Sequence, residues 1–141
     1  MMRSAIFIFS FVLLFIFSIA APVPVEDGEL VELEPRKTRV GRGTWFHPGL
    51  GNCGKRDNDN SLILAMGKQF YDRNNGSNCD QYVEIVNTKN GKKAYGRLRD
   101  SCQSCRDQDI DMSPALFKKL APLSTGVIQV SWKFMNKSWK P

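Results

Sequence analysis

Histidine is almost absent from this chain. His47 stands alone, and cysteine occupies four positions, Cys53, Cys79, Cys102 and Cys105, with a single close pair. Structural zinc takes four Cys/His ligands, in two close pairs in the common motifs, so these shortages argue against zinc or any other metal centre. Residues 21–40 contain no aromatic side chain, yet carry Pro22, Pro24 and Pro35 with Glu26, Asp27, Glu29, Glu32 and Glu34. Such a segment cannot bury enough apolar surface to offset its chain entropy, and residues 21–41 read as a disordered acidic, Pro-rich linker or propeptide. Arg36-Lys37 within it is either a dibasic processing site or a solvated charge cluster. No repeat and no cofactor motif is present, so no cofactor is expected.

What is present begins with Met1 to Ala20: one charge, Arg3, then an apolar run from Ala5 to Ile19 broken only by Ser10 and Ser18, ending in Ser18-Ile19-Ala20. The small residues at the end and the short run read as a secretory signal peptide. A spanning helix needs about 20 apolar residues, so stable membrane insertion is not expected after cleavage. Of the 20 Lys and Arg, four precede residue 42, as do five of the 14 Asp and Glu; the remaining 16 against nine leave that portion near +7. The charge of a secreted basic domain suits polyanionic glycans, acidic wall polymers or membrane surfaces rather than nucleic acid, and the partner expected is a cell-wall polysaccharide or an extracellular protein. About 100 residues suffice for one domain with a modest core, here residues 42–136, with a tail at 137–141 in which Trp139 reads as frayed. A monomer is expected.

An even cysteine count behind a signal peptide reads as disulfides, and four cysteines allow three pairings. Cys53 with Cys79 and Cys102 with Cys105 is the favoured pairing, the second a tight loop fixing the backbone beside Asp100. Asn75-Gly76-Ser77 and Asn136-Lys137-Ser138 are glycosylation acceptors.

Gly41 to Phe46 reads as a short strand, Ser61 to Ala65 as a buried strand leading into a helical turn near Lys68 to Tyr71, and Tyr82 to Val86 and Lys93 to Arg99 as a tight hairpin about Asn90-Gly91. Ser113 can cap a helix whose first turn suits Pro114, running from Ala115 to Leu120. Gly126 to Met135 alternates as a half-buried strand, with Trp132 and Phe134 inward. The inventory is a compact, mainly β domain, a closed barrel. The chemistry concentrates in Asp100-Ser101-Cys102-Gln103-Ser104-Cys105 and the following Asp107, Asp109 and Asp111. Asp107 and Asp109 read as solvated loop residues, and Asp111 as either a carboxylate favouring the next helix N-terminus or a groove residue.

Gly43-Thr44-Trp45-Phe46, Gly51-Asn52-Cys53-Gly54, Asn78-Cys79, Asp100-x-Cys102-x-x-Cys105, Asp109-Ile110-Asp111-Met112-Ser113-Pro114 and Pro122 to Ile128 with Val130-Ser131-Trp132 together resemble the rare-lipoprotein-A-like and expansin-like double-psi β-barrel proteins, particularly small secreted fungal forms related to barwin. The resemblance implies a six-stranded double-psi barrel with one or two short helices, supports pairing Cys53 with Cys79, and implies an open groove that binds polysaccharide. It makes Asp111 the candidate acid, with Asp100 beside it raising its pKa by like charge. Thr44 and Trp45 carry over from the family's pattern as glycan contacts. Tyr95, like Trp45, is a glycan candidate because an aromatic face suits a sugar ring, with core packing as the ordinary alternative.

Inverting hydrolysis needs a second carboxyl group as base. Thr44-Trp45-Phe46-His47-Pro48 offers none where hydrolytic relatives carry one, Phe46 replaces the usual Tyr, and Leu62 to Met66 lacks the His of lytic relatives. His47 is a replacement base or, more simply, a polar loop residue. The reading that follows is a secreted, non-hydrolytic wall-polysaccharide binder, with a weak glycan-cleaving enzyme or a kiwellin-like protein-binding scaffold as alternatives.

Overall fold

A computed structural model describes residues 37–141. The signal peptide and nearly all of the expected linker lie outside the described residues. Six strands, β1 (Arg39–Trp45), β2 (Ile63–Gly67), β3 (Tyr82–Asn87), β4 (Lys93–Cys102), β5 (Ile110–Met112) and β6 (Ile128–Phe134), close into a barrel in the order β1-β5-β2-β4-β3-β6. The β1/β5 and β2/β4 pairs are parallel and the other four antiparallel. Closure gives each of these strands a neighbour on both sides. Helix α1 (Lys68–Arg73) follows β2, and α2 (Pro114–Lys118) follows β5. The closed, mainly β barrel of the sequence reading is therefore the observed fold.

β1 starts at Arg39, inside the stretch assigned to the linker. The reason it escaped notice is that its inward positions are not apolar: Arg39 is 5% exposed, and its guanidinium lies 5.0, 5.1 and 5.7 Å from the ring centres of Phe70, Trp132 and Phe134. Flat, weakly hydrated guanidinium stacks on aromatic faces. Gly41 also points inward, where a Cβ would stand 2.0 Å from the Gln108 carbonyl oxygen. Only glycine lets β1 run this close to the loop before β5.

β4 changes partner along its length. Lys93 to Arg97 pairs with β3, and Arg97 to Cys102 with β2, where a register shift between Leu64 and Ala65 leaves Arg99 as the extra residue of a bulge. The β3–β4 loop is longer than a tight two-residue turn: Val86 pairs with Lys93, and only Gly91 takes a positive φ, 74°. Asn87 and Asn90 hold it by donating to the Leu120 carbonyl at 3.1 and 3.0 Å.

Ser113 caps α2, its hydroxyl accepting from the Leu116 amide, and Pro114 occupies the first turn. The helix ends at Lys118 rather than Leu120. In β6, Val130, Trp132 and Phe134 are buried, whereas Val127, inside the expected strand, precedes the observed one and is exposed. Trp139 is not frayed: its ring packs 4.7 Å from that of Tyr95 and 5.6 Å from that of Tyr82. Cys53–Cys79 and Cys102–Cys105 both form.

Candidate functional site

Three registers align one row of residues across four strands. Thr44 of β1 pairs with Asp111 of β5, Asp111 with Ala65 of β2, and Ala65 with Asp100 of β4. Adjacent strands lie about 4.8 Å apart, so Asp111 and Asp100 stand roughly 10 Å apart at Cα with small Ala65 between them. β5 was not recognised as a strand because three residues, Ile110–Met112, are too few to show a period. Its pairing with β1 and β2 places Asp111 in the barrel wall, ahead of the Ser113 cap of the next helix.

The Thr44 hydroxyl donates to Asp111 Oδ1 at 2.8 Å. Burial raises the pKa of Asp111 above its usual value, while the Thr44 hydroxyl, the Met112 amide and the Arg42 charge pull it back part of the way. Burial, rather than the like charge of Asp100, is the cause. Asp100 is engaged differently, accepting from the Asn52 and Ser101 amides at 2.9 and 2.8 Å. Asn52 also donates from its side chain to Ser101 Oγ, and this role of the 51–54 loop is invisible in sequence because it arises from a contact 48 residues away.

Trp45 does not share this row. Along β1 the even-numbered side chains from Val40 to Thr44 point outward, and the odd-numbered ones inward; Trp45 packs against the core cluster. Its indole N–H donates to the Leu123 carbonyl at 3.1 Å, and its ring meets the His47 ring edge-on at 5.5 Å. His47 in turn pairs with Asp59 through Nδ1 at 2.9 Å and is 70% exposed. Trp45, His47 and Asp59 line a cleft of about 750 Å³. Tyr95 lies elsewhere again, with its hydroxyl donating to Glu84 Oε2 at 3.0 Å and its ring against Trp139. It lines a second cleft of about 570 Å³, which meets the first at Leu62 and Lys119. The five glycan candidates thus separate into a polar row, Thr44, Asp111 and Asp100, and two aromatic clefts.

Asp109 is the acidic residue whose role the sequence concealed. Far from solvated, it is 5% exposed, and its carboxylate accepts from the Arg42 and Arg106 amides at 2.9 and 3.1 Å. Asp107 is half-buried and pairs with Arg73. The Cys102–Cys105 disulfide lies beside Asp111 as well as following Asp100: its sulfurs and an Asp111 carboxylate oxygen are all within 4.8 Å of one another. Asn75 and Asn136, the glycosylation acceptors, are both exposed.

No protein-family model matches the chain. The papain inhibitor of Streptomyces mobaraensis is 34% identical over 103 residues, covering 69% of this chain and 71% of that protein. Expansin-like protein 3 of Dictyostelium discoideum is 36% identical over 88 residues, 55% of this chain but 25% of that protein. Among solved structures, the Streptomyces papain inhibitor aligns with a TM-score of 0.62 at 33% identity, over 71% of this chain and 96% of that one. A mutant expansin of Clavibacter michiganensis in complex with cellohexaose aligns with a TM-score of 0.64 at 20% identity, over 74% of this chain and 54% of that one. This last likeness is one of fold.

Proposed function

Because the chain belongs to the expansin-like double-psi β-barrel family that includes the Streptomyces papain inhibitor, we propose that it is an extracellular protein whose Thr44–Asp111–Asp100 row binds cell-wall polysaccharide without cleaving it. The observation that carries this reading is the alignment of a hydroxyl and two carboxylates across four strands, with the buried Ala65 between the carboxylates. Sugar hydroxyls both donate and accept, and such a row offers both kinds of partner. Binding is favoured over cleavage because both carboxylates already hold intramolecular hydrogen bonds, Asp111 from Thr44 and Asp100 from two backbone amides. The disulfides suit an oxidising, extracellular setting. The test is co-sedimentation with insoluble cellulose, chitin, xylan and pectin at moderate salt. Salt-resistant binding to one polymer that is lost in Thr44→Val/Asp111→Ala supports the groove; binding that disappears with salt alone reduces it to net charge.

A second reading rests on a separate observation. The relative whose solved chain is covered almost completely is a papain inhibitor, whereas the matched expansin-like protein is about four times longer than the aligned part. The barrel alone then serves as a protein-binding scaffold, directed at a cysteine protease. Steady-state inhibition of papain by the purified chain, unaffected by Thr44→Val/Asp111→Ala, would favour this reading over the groove.

A further inference from the structure

At Cys102-x-x-Cys105 the sequence reading set zinc aside in favour of a disulfide. We propose that the Cys102–Cys105 corner becomes a site for a thiophilic divalent cation, with Zn²⁺ as the reference, once a dithiol opens the disulfide, Asp111 supplying the third donor. Three observations lead there. The two sulfurs and an Asp111 oxygen lie within 4.8 Å of one another, and a tetrahedral ion with Zn–S near 2.3 Å holds its donors roughly 3.5–3.8 Å apart, so small side-chain movements close the site. The two cysteines occupy one turn, the Cys105 amide donating to the Cys102 carbonyl, which directs both sulfurs to the same side.

The decisive feature is that the loop has anchors besides the disulfide. Gly67 of β2 abuts it so closely that a Cβ would stand 2.4 Å from the Arg106 carbonyl oxygen and 3.2 Å from that of Cys105. The buried Asp109 carboxylate ties down the Arg42 and Arg106 amides, and the Trp132 indole donates to the Gln108 carbonyl at 2.8 Å. These contacts keep Cys102, Cys105 and Asp111 together after the S–S bond is gone. Gln103 and Ser104 are exposed and Cys105 half-exposed while Cys102 is buried, so a reductant meets the disulfide from the Cys105 side.

The chemistry balances. A dithiol passes two electrons and two protons to the S–S bond, giving two cysteine thiols and the reductant's own cyclic disulfide. The cation then displaces both thiol protons to solvent, and water takes the fourth position, as in three-ligand zinc sites.

The test titrates the full chain with Cd²⁺ before and after mild dithiol treatment, the reductant being removed first. It follows the thiolate charge-transfer absorbance and circular dichroism, with alkylation and mass analysis identifying the opened disulfide. One ion per chain is expected after Cys102–Cys105 opens and none before, with at least tenfold weaker binding in Asp111→Asn and none in Cys102→Ser/Cys105→Ser. The proposal is overturned by a reduced, folded chain that binds no Cd²⁺, by loss of the fold on opening this disulfide, by absorbance persisting in the double serine variant, or by unchanged affinity in Asp111→Asn. None of these outcomes depends on glycan binding.

Discussion

Thr44 and Asp111, 67 residues apart, are joined by a 2.8 Å hydrogen bond across the parallel β1/β5 pair. The hydroxyl stabilises the charged carboxylate against the burial that raises its pKa. Removing it in Thr44→Val is expected to move the Asp111 titration further upward, observable by carboxyl-detected NMR. An unmoved titration would mean that this hydrogen bond does not govern the group.

Asp111 also ties stability to pH. Its folded pKa is raised, so its contribution is fully present below the unfolded pKa and is lost as pH rises through the folded value. Asp111→Asn escapes that loss. It is expected to be at least as stable as the parent at neutral pH, with the advantage vanishing below about pH 4, as read by urea denaturation across pH.

Glu84 has the opposite sign. Burial pushes its pKa up, but the Tyr95 hydroxyl and the charges of Lys93 and Lys133 outweigh it and hold the net value low. Its stabilisation is present above the unfolded pKa and lost as pH falls through the folded one. Glu84→Gln should therefore be less stable than the parent at neutral pH, the difference closing in acid.

The two disulfides should differ in weight. Cys53–Cys79 spans 26 residues and Cys102–Cys105 three, and loop-closure entropy gives about 3.5 kcal/mol for the first and about 2 kcal/mol or less for the second. Thermal unfolding of the two double-alanine variants measures the gap, with Cys102→Ala/Cys105→Ala the milder.

Arg39→Ala removes a buried cation from three aromatic faces and leaves a cavity. A loss of about 3 kcal/mol is expected in chemical denaturation. Arg39→Lys should not restore it fully, because an ammonium lacks the planar stacking surface.

The hairpin, the capped helix and β6 were legible because each is announced locally: Asn90-Gly91, Ser113-Pro114, and the alternation of Val130, Trp132 and Phe134. The candidate site was legible in part. Asp111, Asp100 and Thr44 were singled out through the family resemblance; that Trp45 faces away from Thr44 follows from alternation within the strand already read from Gly41, whereas the first two residues of β1, Arg39 and Val40, were hidden because the inward one is an arginine. Asp109 was misjudged because an aspartate in a polar run carries no mark of the two amides that enclose it.

The amino-acid order by itself determined the class of the domain, its basic charge and the segment where its chemistry gathers, since these depend on composition and on neighbours a few residues apart. Tertiary structure alone decided that Thr44, Asp111, Ala65 and Asp100 form one row, that Arg39 sits among aromatic rings, and that the Cys102–Cys105 sulfurs touch the surroundings of Asp111. Those relations come from barrel closure, which brings together strand residues as far apart as Arg39 and Trp132 through registers set by packing and backbone hydrogen bonds rather than by any local pattern.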